Sequence, residues 1–411
     1  MVIWVFDHYA NAPYQPGPTR NYDFGCELVK KGHKVVIFAS SFHNQLKKET
    51  KSYSNAYWQV ENVNGVDFVW LKTFPYTENN WRRILDMVFY GLRAYMVARG
   101  MGSRRPDVIV GSWPEPIGAL AAYLVSAYYK VPFVMEIRDL WPQAVVDLGM
   151  YDSRSLPVRI AYLIQDFLYR KAAKIIGVGE RTGDYVSSRG VSSQKVVWLS
   201  NGVALSRFVG LESSPQPRKQ KFRVGFLGTI GPVYGLESLV LAAQILQSRG
   251  IDDVEFLIAG EGIEKSRLEA ICENNRNTNV YFLGPIPKEK APDFLSSLDL
   301  CYISLEDWSV FNYGLSSNKV FEYMAAARPI LAVSRALLEL IKESNCGIVL
   351  ESNRAEDIAD AIIEFKSMPD SKRIEMGRNA FNYVSKFYSV EVLADKLAQT
   401  LAEVVEEANN F

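Results

Sequence analysis

Two charged residues three positions apart, Lys319 and Glu322, are the strongest candidates for chemistry in this sequence. They belong to a run of helix-forming residues that must end before Pro329, because proline cannot continue a helix. Residues three positions apart share one face of a helix. Free backbone N–H groups at a helix N-terminus bind anions, and a lysine there can bind the same anion. This face could hold the phosphate and the sugar hydroxyls of a nucleotide sugar, or it could be an ordinary surface Lys–Glu pair.

A second charged group, Glu136, Arg138 and Asp139, lies at the end of the apolar segment Phe133–Ile137, which is typical of a buried strand. Charged side chains in this position are costly unless they are paired or face a cleft. In open α/β sheets, ligands bind at the carboxyl ends of the strands. We therefore predict a site here, and a purely structural Glu136–Arg138 pair is the alternative.

The loop after the first apolar segment, Val2–Phe6, also lies at the carboxyl end of a predicted strand. It begins at His8 and contains Gly17, which permits close backbone approach to a ligand, and Thr19 and Arg20 stand at the start of the next helical pattern. No GxGxxG sequence is present, so the usual dinucleotide fingerprint is missing. We predict that these four residues face the cleft on its acceptor side, whereas a plain connecting turn is the alternative.

Glycines recur at predicted strand ends in the second half of the chain, where backbone amides could approach a diphosphate. The first of these loops contains no Lys or Arg up to Leu236, so Lys319 would have to neutralise the phosphate charge. The residues predicted to bind phosphate or to frame a base are Gly228, Thr229, Gly231, Gly260, Glu261, Gly284 and Ile286.

The composition is that of a globular enzyme with two domains, since 411 residues exceed what one core usually serves. Four scattered cysteines and three histidines, with no CxxC or HExxH spacing, give little support to a disulfide framework or a metal site. We expect a cytoplasmic protein, because no signal peptide and no 18-residue apolar run is evident. Residues 1–200 carry 24 Lys and Arg against 17 Asp and Glu, and the rest carry 22 against 29.

Short apolar segments alternate with helical patterns throughout, which predicts βαβ units and two doubly wound parallel sheets. Domain boundaries are expected at 1–208 and 222–389, with a polar linker at 209–221 and a terminal helix at about 390–411 that packs back on the first domain. Two such sheets facing each other would place the site in the cleft between them. The predicted strands are Val2–Phe6, Val35–Ala39, Phe68–Leu71, Val108–Gly111, Phe133–Ile137, Ile175–Val178, Val196–Leu199, Phe222–Gly228, Glu255–Ala259, Val280–Leu283, Leu300–Ser304, Ile330–Val333 and Gly347–Leu350.

The segment Phe74–Arg105 interleaves six arginines with aromatic residues. A basic amphipathic helix of this type can lie on an anionic membrane surface, and a core-packed helix with outward arginines is the alternative.

Several segments together resemble family 4 of the retaining glycosyltransferases, which have the GT-B fold. They are GHKVVIFAS, EIRDLWP, LSNGVALSRF, FLGTIGPVYGLESLVLAA, IAGEG, YFLGPIPKE and SNKVFEYMAAARPILA. The similarity spans nearly the whole chain and is nearest to the O-antigen and capsule sugar transferases.

The resemblance implies that Glu322 holds the nucleotide ribose and that Lys319 contacts the diphosphate. The first glutamate of the family's E-x7-E motif would fall at Gly314. Either amides of Tyr313–Leu315, together with Ser316, serve the donor sugar instead, or the sugar is a deoxy or amino sugar that lacks the usual hydroxyl pattern. The basic residues that usually follow the first strand of the donor domain are also missing here, and Tyr234 stands among their replacements. Arg138 and Asp139 stand where many relatives have His-Asp beside the sugar. The resemblance therefore makes Asp139, Arg138, Glu136 and Lys319 the candidate catalytic residues.

We therefore predict a metal-independent retaining glycosyltransferase without a cofactor, using a UDP-linked donor and a glycan or polyprenyl-linked acceptor in bacterial surface polysaccharide synthesis. Peripheral contact with the inner membrane face is part of this expectation, and nucleic acid is not. The alternatives are a nucleotide-sugar 2-epimerase of the same fold and a non-catalytic binder of sugar nucleotides. The 2-epimerase would need more cleft histidines and carboxylates for proton transfer. The missing glutamate at Gly314 favours the non-catalytic binder.

Overall fold

The computed structural model describes residues 1–78, 81–147, 149–210, 221–306, 308–314 and 316–410. They form two parallel sheets, each covered by helices on both faces, as predicted. Residues 211–220 of the predicted linker lie outside the described residues.

The first sheet has eight strands in the order β10-β9-β8-β7-β1-β2-β6-β5, and only β5 runs antiparallel to its neighbour. A separate two-stranded ribbon joins β3 and β4. The strands are β1 Val2–Phe6, β2 Lys34–Ser40, β3 Phe42–His43, β4 Lys48–Glu49, β5 Trp58–Val63, β6 Val66–Leu71, β7 Val108–Trp113, β8 Phe133–Ile137, β9 Lys174–Gly177 and β10 Val196–Trp198.

The second sheet is entirely parallel and has the order β13-β12-β11-β14-β15-β16, which is that of a dinucleotide-binding fold. Its strand order reverses between β11 and β14, and ligands bind at such a point. The strands are β11 Phe222–Leu227, β12 Val254–Ala259, β13 Val280–Gly284, β14 Leu300–Ser304, β15 Ile330–Val333 and β16 Gly347–Leu350.

Fourteen α-helices are described. They are α1 Arg20–Lys30, α2 Trp81–Gly100, α3 Pro116–Tyr129, α4 Gln143–Asp147, α5 Leu156–Lys171, α6 Thr182–Ser188, α7 Glu237–Ser248, α8 Lys265–Asn274, α9 Ala291–Ser296, α10 Asn318–Ala325, α11 Leu338–Ser344, α12 Ala355–Ser367, α13 Asp370–Phe387 and α14 Val390–Asn409.

The first sheet is held by two apolar layers. On one side Trp4, Phe6 and Phe38 pack under α2, α3 and α5. On the other side the apolar face of α14, including Leu393 and Leu401, packs with α1 and the sheet. The last helix therefore returns to the first sheet after the chain has completed the second.

Helix α10 ends at a backbone conformation that is costly for its residue. Ala327 has φ +52°, where relatives of the resembled family usually have glycine. For a residue with a Cβ atom this left-handed conformation costs roughly 1 kcal/mol relative to glycine. The amide of Ala327 donates to the carbonyl of Met324, so the turn closes the helix.

Candidate active site

A cavity of about 560 Å³ lies between the two sheets and is lined by residues of both. From the first sheet it takes the predicted residues Gly17, Arg138 and Asp139. From the second sheet it takes Gly228, Thr229, Gly260, Glu261, Ile286, Tyr313, Gly314, Ser316, Lys319 and Glu322. Most of the predicted donor-side residues are thus brought to one wall, at the carboxyl ends of β11, β12 and β13.

Lys319 lies in the first turn of α10 and crosses to the glycine loop after β11. Its Nζ donates to the hydroxyl of Tyr234 at 2.7 Å and lies 4.0 Å from the centre of that ring. A Cβ atom on Gly228 would come within 1.9 Å of the lysine Cε, and Gly228 has φ +147°. Because Gly228 has no side chain, the Lys319 side chain can occupy the space beside the cavity.

The two glycine loops of this wall also pack backbone against backbone. A Cβ on Gly260 would meet the carbonyl oxygen of Gly228 at 1.8 Å, and one on Gly262 would meet that of Ile230 at 2.0 Å. Gly231 and Gly284 lie outside the cavity lining, although the Gly284 carbonyl accepts from the amide of Gly260 at 2.8 Å. The loops are thus held close, as needed for backbone amides to face a ligand.

Glu322 is nearly buried and forms an ion pair with Lys288, and both line the cavity. Lys288 was not predicted from the sequence, although it directly follows the Gly284–Pro287 segment that was expected to frame a base. The feature of the sequence that could have identified Lys288 is its position directly after this segment. The pair orients the carboxylate that the resemblance assigns to the ribose.

The segment between β14 and α10 reaches across the cleft to the first sheet. The amide of Arg181 donates to the carbonyl of Tyr313 at 3.0 Å. The amide of Asn201 donates to Ser316 Oγ at 2.7 Å, and its side-chain amide donates to the Ser316 carbonyl at 2.7 Å. The amide of Leu315, a predicted ligand group, lies outside the described residues.

Gly314 lies in this segment between β14 and α10, with φ +97°. A Cβ there would meet the backbone nitrogen of Glu180 at 2.6 Å. A glutamate at this position, as the resembled family has, would therefore displace backbone of the first domain. The arrangement of the two halves thus leaves no room for a side chain at this position.

Asp139 and Arg138 provide the charged groups of the opposite wall. Arg138 donates to Asp7 at 2.8 Å; burial acts to lower its pKa, but Asp7, Glu136 and Asp139 raise it overall. The Asp139 side chain is exposed to the cavity and forms no hydrogen bond with the described residues. Removal from bulk water raises the pKa of its carboxyl group, and Arg138 opposes this effect. Asp139 is therefore available to a ligand.

Glu136, Arg20 and Thr19 are placed differently from the prediction. They lie outside the lining of this cavity, and the carboxylate of Glu136 accepts from Arg20 Nε and from Ser112 Oγ, each at 2.8 Å. Burial alone would raise the pKa of Glu136, but Arg20 and Arg138 outweigh it and hold that pKa below its usual value. Thr19 donates to Asp23 at 2.7 Å. Thr19 and Arg20 line a small neighbouring pocket that shares Lys288, Asn318 and Glu322 with the cavity.

Arg20 also ties β10 to α1. Its guanidinium donates to the carbonyls of Ser200 and Leu199, at 2.6 Å and 3.1 Å. Glu136 therefore forms a structural ion pair, as the alternative to a site predicted. Its main partner, however, is Arg20, which is 116 residues away in the sequence, and not Arg138.

His8 is likewise outside the cavity lining and almost fully buried. Its ring stacks between Tyr9 and Tyr90, and Nε2 lies 3.1 Å from Asp86. Glu115, 3.9 Å from the ring, accepts the first amides of α3. Burial raises the pKa of Glu115 to about 7. The acceptor-side role predicted for His8 does not fit this position.

Among the residues that the structure describes, no group of three His, Cys, Asp or Glu side chains is arranged to hold a metal ion. None of the described helices is long and apolar enough to cross a bilayer.

Comparisons with known proteins agree with this architecture. A family model for "Glycosyl transferase 4-like domain" matches residues 18–202, and one for "Glycosyl transferases group 1" matches residues 221–367. "Probable glycosyltransferase WbjE" of Pseudomonas aeruginosa is 23% identical over 350 residues, which are 80% of this chain and 84% of that protein.

Two solved structures share the fold over nearly their full length. Sucrose-phosphate synthase of Thermosynechococcus elongatus has a TM-score of 0.76 at 15% identity, covering 99% of both chains. HepE of Anabaena in complex with UDP-glucose has a TM-score of 0.68 at 14% identity, covering 98% of this chain and 100% of that one.

The two facing sheets with the cleft between them have the architecture of the GT-B fold. The two domain matches, one on each sheet, show a glycosyltransferase that is similar to family 4. The predicted fold and the predicted class of enzyme are thereby confirmed.

Proposed function

We propose that this enzyme transfers a sugar, with retention, from a UDP-linked donor to a glycan or polyprenyl-linked acceptor in bacterial surface polysaccharide synthesis. The observation that carries the proposal is the placement of Lys319 and Glu322 on one face of α10, both lining the cavity between the sheets. The choice of UDP is supported by HepE, which binds UDP-glucose. The polysaccharide role rests on the resemblance of EIRDLWP and SNKVFEYMA to O-antigen and capsule transferases.

In the proposed complex the nucleotide lies along the second sheet. The carboxylate of Glu322 accepts from the ribose hydroxyls, and the backbone near Ile286 frames the base. The diphosphate lies between Lys319, Tyr234 and the amides of the Gly228 loop. A cation and amides in a water-poor cleft stabilise charge far more than they would in bulk water.

The chemical step is the departure of the nucleoside diphosphate, so the barrier depends on stabilising its developing negative charge. Lys319 and the N-terminus of α10 supply this stabilisation. The acceptor hydroxyl attacks the same face from which the diphosphate leaves and transfers its proton to a phosphate oxygen. Asp139 stabilises the positive charge that develops on the sugar ring. We propose that neither a metal ion nor a cofactor is needed.

The test is ligand-dependent thermal stabilisation with a panel of UDP-, GDP- and dTDP-sugars. A ligand at a hundred times its dissociation constant adds about 2.7 kcal/mol to the free energy of unfolding. We expect one nucleotide class to stabilise the wild type and to lose its effect in Lys319→Ala and Glu322→Gln. Matched control variants are Lys342→Ala and Glu339→Gln, at residues that are exposed on α11 of the same domain.

The donor identified in this way is then used in a transfer assay with glycan and polyprenyl-diphosphate-linked acceptors, and the anomeric configuration of the product is read by NMR. Stabilisation by no nucleotide would contradict the donor site. Donor binding without transfer or hydrolysis would favour a non-catalytic binder. Inversion at the anomeric carbon would contradict the mechanism and leave the donor site intact.

A further inference from the structure

Four aromatic side chains of the described chain line the cavity, and two of them have no part in the proposed donor site. Tyr234 accepts a hydrogen bond from Lys319, and Tyr313 packs on the core of the first domain. The other two, Trp308 and Phe311, stack on each other with ring centres 5.9 Å apart and ring planes inclined by 11°. We call these two residues the aromatic pair.

The backbone around the aromatic pair holds it in place. The amide of Trp308 donates to the carbonyl of Glu306, and the amide of Phe311 donates to the carbonyl of Trp308, each at 3.0 Å. Phe311 also packs on the core of the second domain. Both side chains are partly exposed and line the cavity. The aromatic pair therefore presents a rigid apolar surface to a ligand in the cavity.

The order of the strands places the aromatic pair beside the proposed diphosphate position. The pair follows β14, which neighbours β11 on the side opposite to β12 and β13. Ile286, which is proposed to frame the base, follows β13, and Gly228 of the diphosphate loop follows β11. The amide of Glu306 donates to the carbonyl of Val233 at 2.9 Å, directly before Tyr234. A ligand on the aromatic pair therefore lies next to the diphosphate, on the side away from the base.

The first domain borders the same part of the cavity. Leu140 and Ala144, which follow Asp139 in the chain, belong to the lining. Helix α4, which contains Ala144, contacts the turn Ser309–Tyr313 that carries Phe311. This part of the cavity thus has apolar side chains from both domains, close in the chain to the carboxylate that is proposed to stabilise the reacting sugar.

We propose that the aromatic pair binds a pyranose ring of the acceptor. The C–H groups of a pyranose can pack on an aromatic face, and the indole N–H of Trp308 can donate to a sugar hydroxyl. The inference rests on the proposed function, in which the acceptor hydroxyl attacks the face from which the diphosphate leaves. The attacking sugar must then lie against the diphosphate, next to the aromatic pair. The donor sugar is expected at the polar groups around Gly314 and Ser316, which leaves the aromatic pair to the acceptor.

The test is saturation-transfer NMR of the full chain with the methyl pyranosides of glucose, galactose, mannose, N-acetylglucosamine and rhamnose. Each glycoside is measured with and without UDP. We expect at least one of them to bind, with its strongest signals on the ring C–H protons of one face of the sugar. If none of these pyranosides bound in either condition, the proposal would be overturned.

Variants test whether the aromatic pair makes this contact. Trp308→Leu should weaken binding of the glycoside by about tenfold, since an aromatic contact is lost, and Phe311→Leu should weaken it less. Trp308→Phe should retain part of the binding, because it keeps an aromatic ring. The affinity for UDP, measured by calorimetry, should be unchanged in all three. The matched control is Trp81→Leu, at a tryptophan that is 61% exposed and does not line the cavity.

Two results would overturn the assignment. Equal glycoside binding by the wild type and Trp308→Leu would place the acceptor sugar elsewhere. Weaker binding of UDP-glucose to Trp308→Leu, with UDP and glycoside binding unchanged, would assign the aromatic pair to the donor sugar.

Failure of the proposed donor site gives a different result. If UDP did not bind, but a glycoside bound in a manner that depends on Trp308, the donor site would be wrong and the sugar site would stand. Unchanged thermal unfolding of the variants shows that lost binding is not lost folding. If Trp308→Leu unfolds early, the comparison of Trp308→Phe with Phe311→Leu decides the question.

Discussion

The two walls of the cleft use their charged residues in opposite ways. On the wall of the first sheet, Arg20 and Glu136 pair with each other beneath the surface, and Arg138 pairs with Asp7. On the wall of the second sheet, Lys319 reaches over a glycine to Tyr234 and lines the cavity. Most charged side chains of the first wall therefore pair within their own domain, whereas the second wall places Lys319 at the cavity.

This difference separates two kinds of charged residue that look alike in a sequence. Glu136 and Glu322 both stand next to elements that border the cleft, and both are nearly buried. The carboxylate of Glu136 accepts from two elements of its own domain, whereas Glu322 forms an ion pair with Lys288, which itself lines the cavity. Substitutions on the first wall should therefore change stability, and substitutions on the second should change binding.

The largest expected effect is on the first wall. Arg20→Met leaves Glu136 buried without its main partner, so we expect the free energy of unfolding to fall by roughly 3–5 kcal/mol. Urea unfolding measures this change. The double variant Arg20→Met/Glu136→Gln should recover part of the lost free energy of unfolding. If Arg20→Met instead weakened only donor binding and left stability unchanged, the proposed difference between the two walls would be wrong.

A second prediction concerns pH and the same half of the molecule. The folded protein holds a proton on Glu115 up to pH about 7, whereas the unfolded chain releases it near the ordinary value of 4.5. The folded state thus binds more protons, so its stability falls as pH rises through this window, by about 3 kcal/mol. Glu115→Gln should flatten this part of the pH profile of unfolding. A pH profile of unfolding that Glu115→Gln leaves unchanged would contradict the raised pKa of Glu115.

A smaller effect is expected on the second wall. Lys288→Met removes the cation that orients Glu322, so we expect about tenfold weaker binding of UDP, or roughly 1.4 kcal/mol. Binding of UDP and of 2′-deoxy-UDP, measured by calorimetry, should become nearly equal in this variant, while Lys288→Arg keeps the preference. Equal weakening for both nucleotides would show that Lys288 contacts another part of the donor.

The smallest effect tests the backbone behind the second wall. Ala327→Gly relieves a left-handed alanine at the end of α10 and should stabilise the protein by up to about 1 kcal/mol. The gain is reduced by the greater freedom of glycine in the unfolded chain. Thermal unfolding measures it, and donor binding should not change. Asn345→Gly, at a left-handed asparagine that ends α11, is the control with a smaller expected gain.

The parallel strands were predictable because each is a short apolar run between helical patterns. Strand β5 was missed because Trp58–Val63 alternates polar and partly buried residues at an exposed edge. The end of α10 was anticipated, since Pro329 forbids continuation of the helix.

The place of a residue in the cavity lining was predictable where it follows from a local spacing, as for Lys319 and Glu322. It was not predictable where the charged residue has a distant partner. Arg20 and Glu136 are 116 residues apart, and nothing local distinguishes their pair from two ligand-binding charges. His8 likewise follows a strand like a site residue, but aromatic rings and Asp86 enclose it.

The hydrogen bonds of Ser316 and Tyr313 to the first sheet have a thermodynamic consequence. The segment that carries them belongs to the donor wall, so the two halves cannot separate without changing the geometry of that wall. Donor affinity and the angle between the halves are therefore linked quantities, and linkage is reciprocal. A donor that tightens the wall favours the closed arrangement by the same free energy with which closure favours the donor.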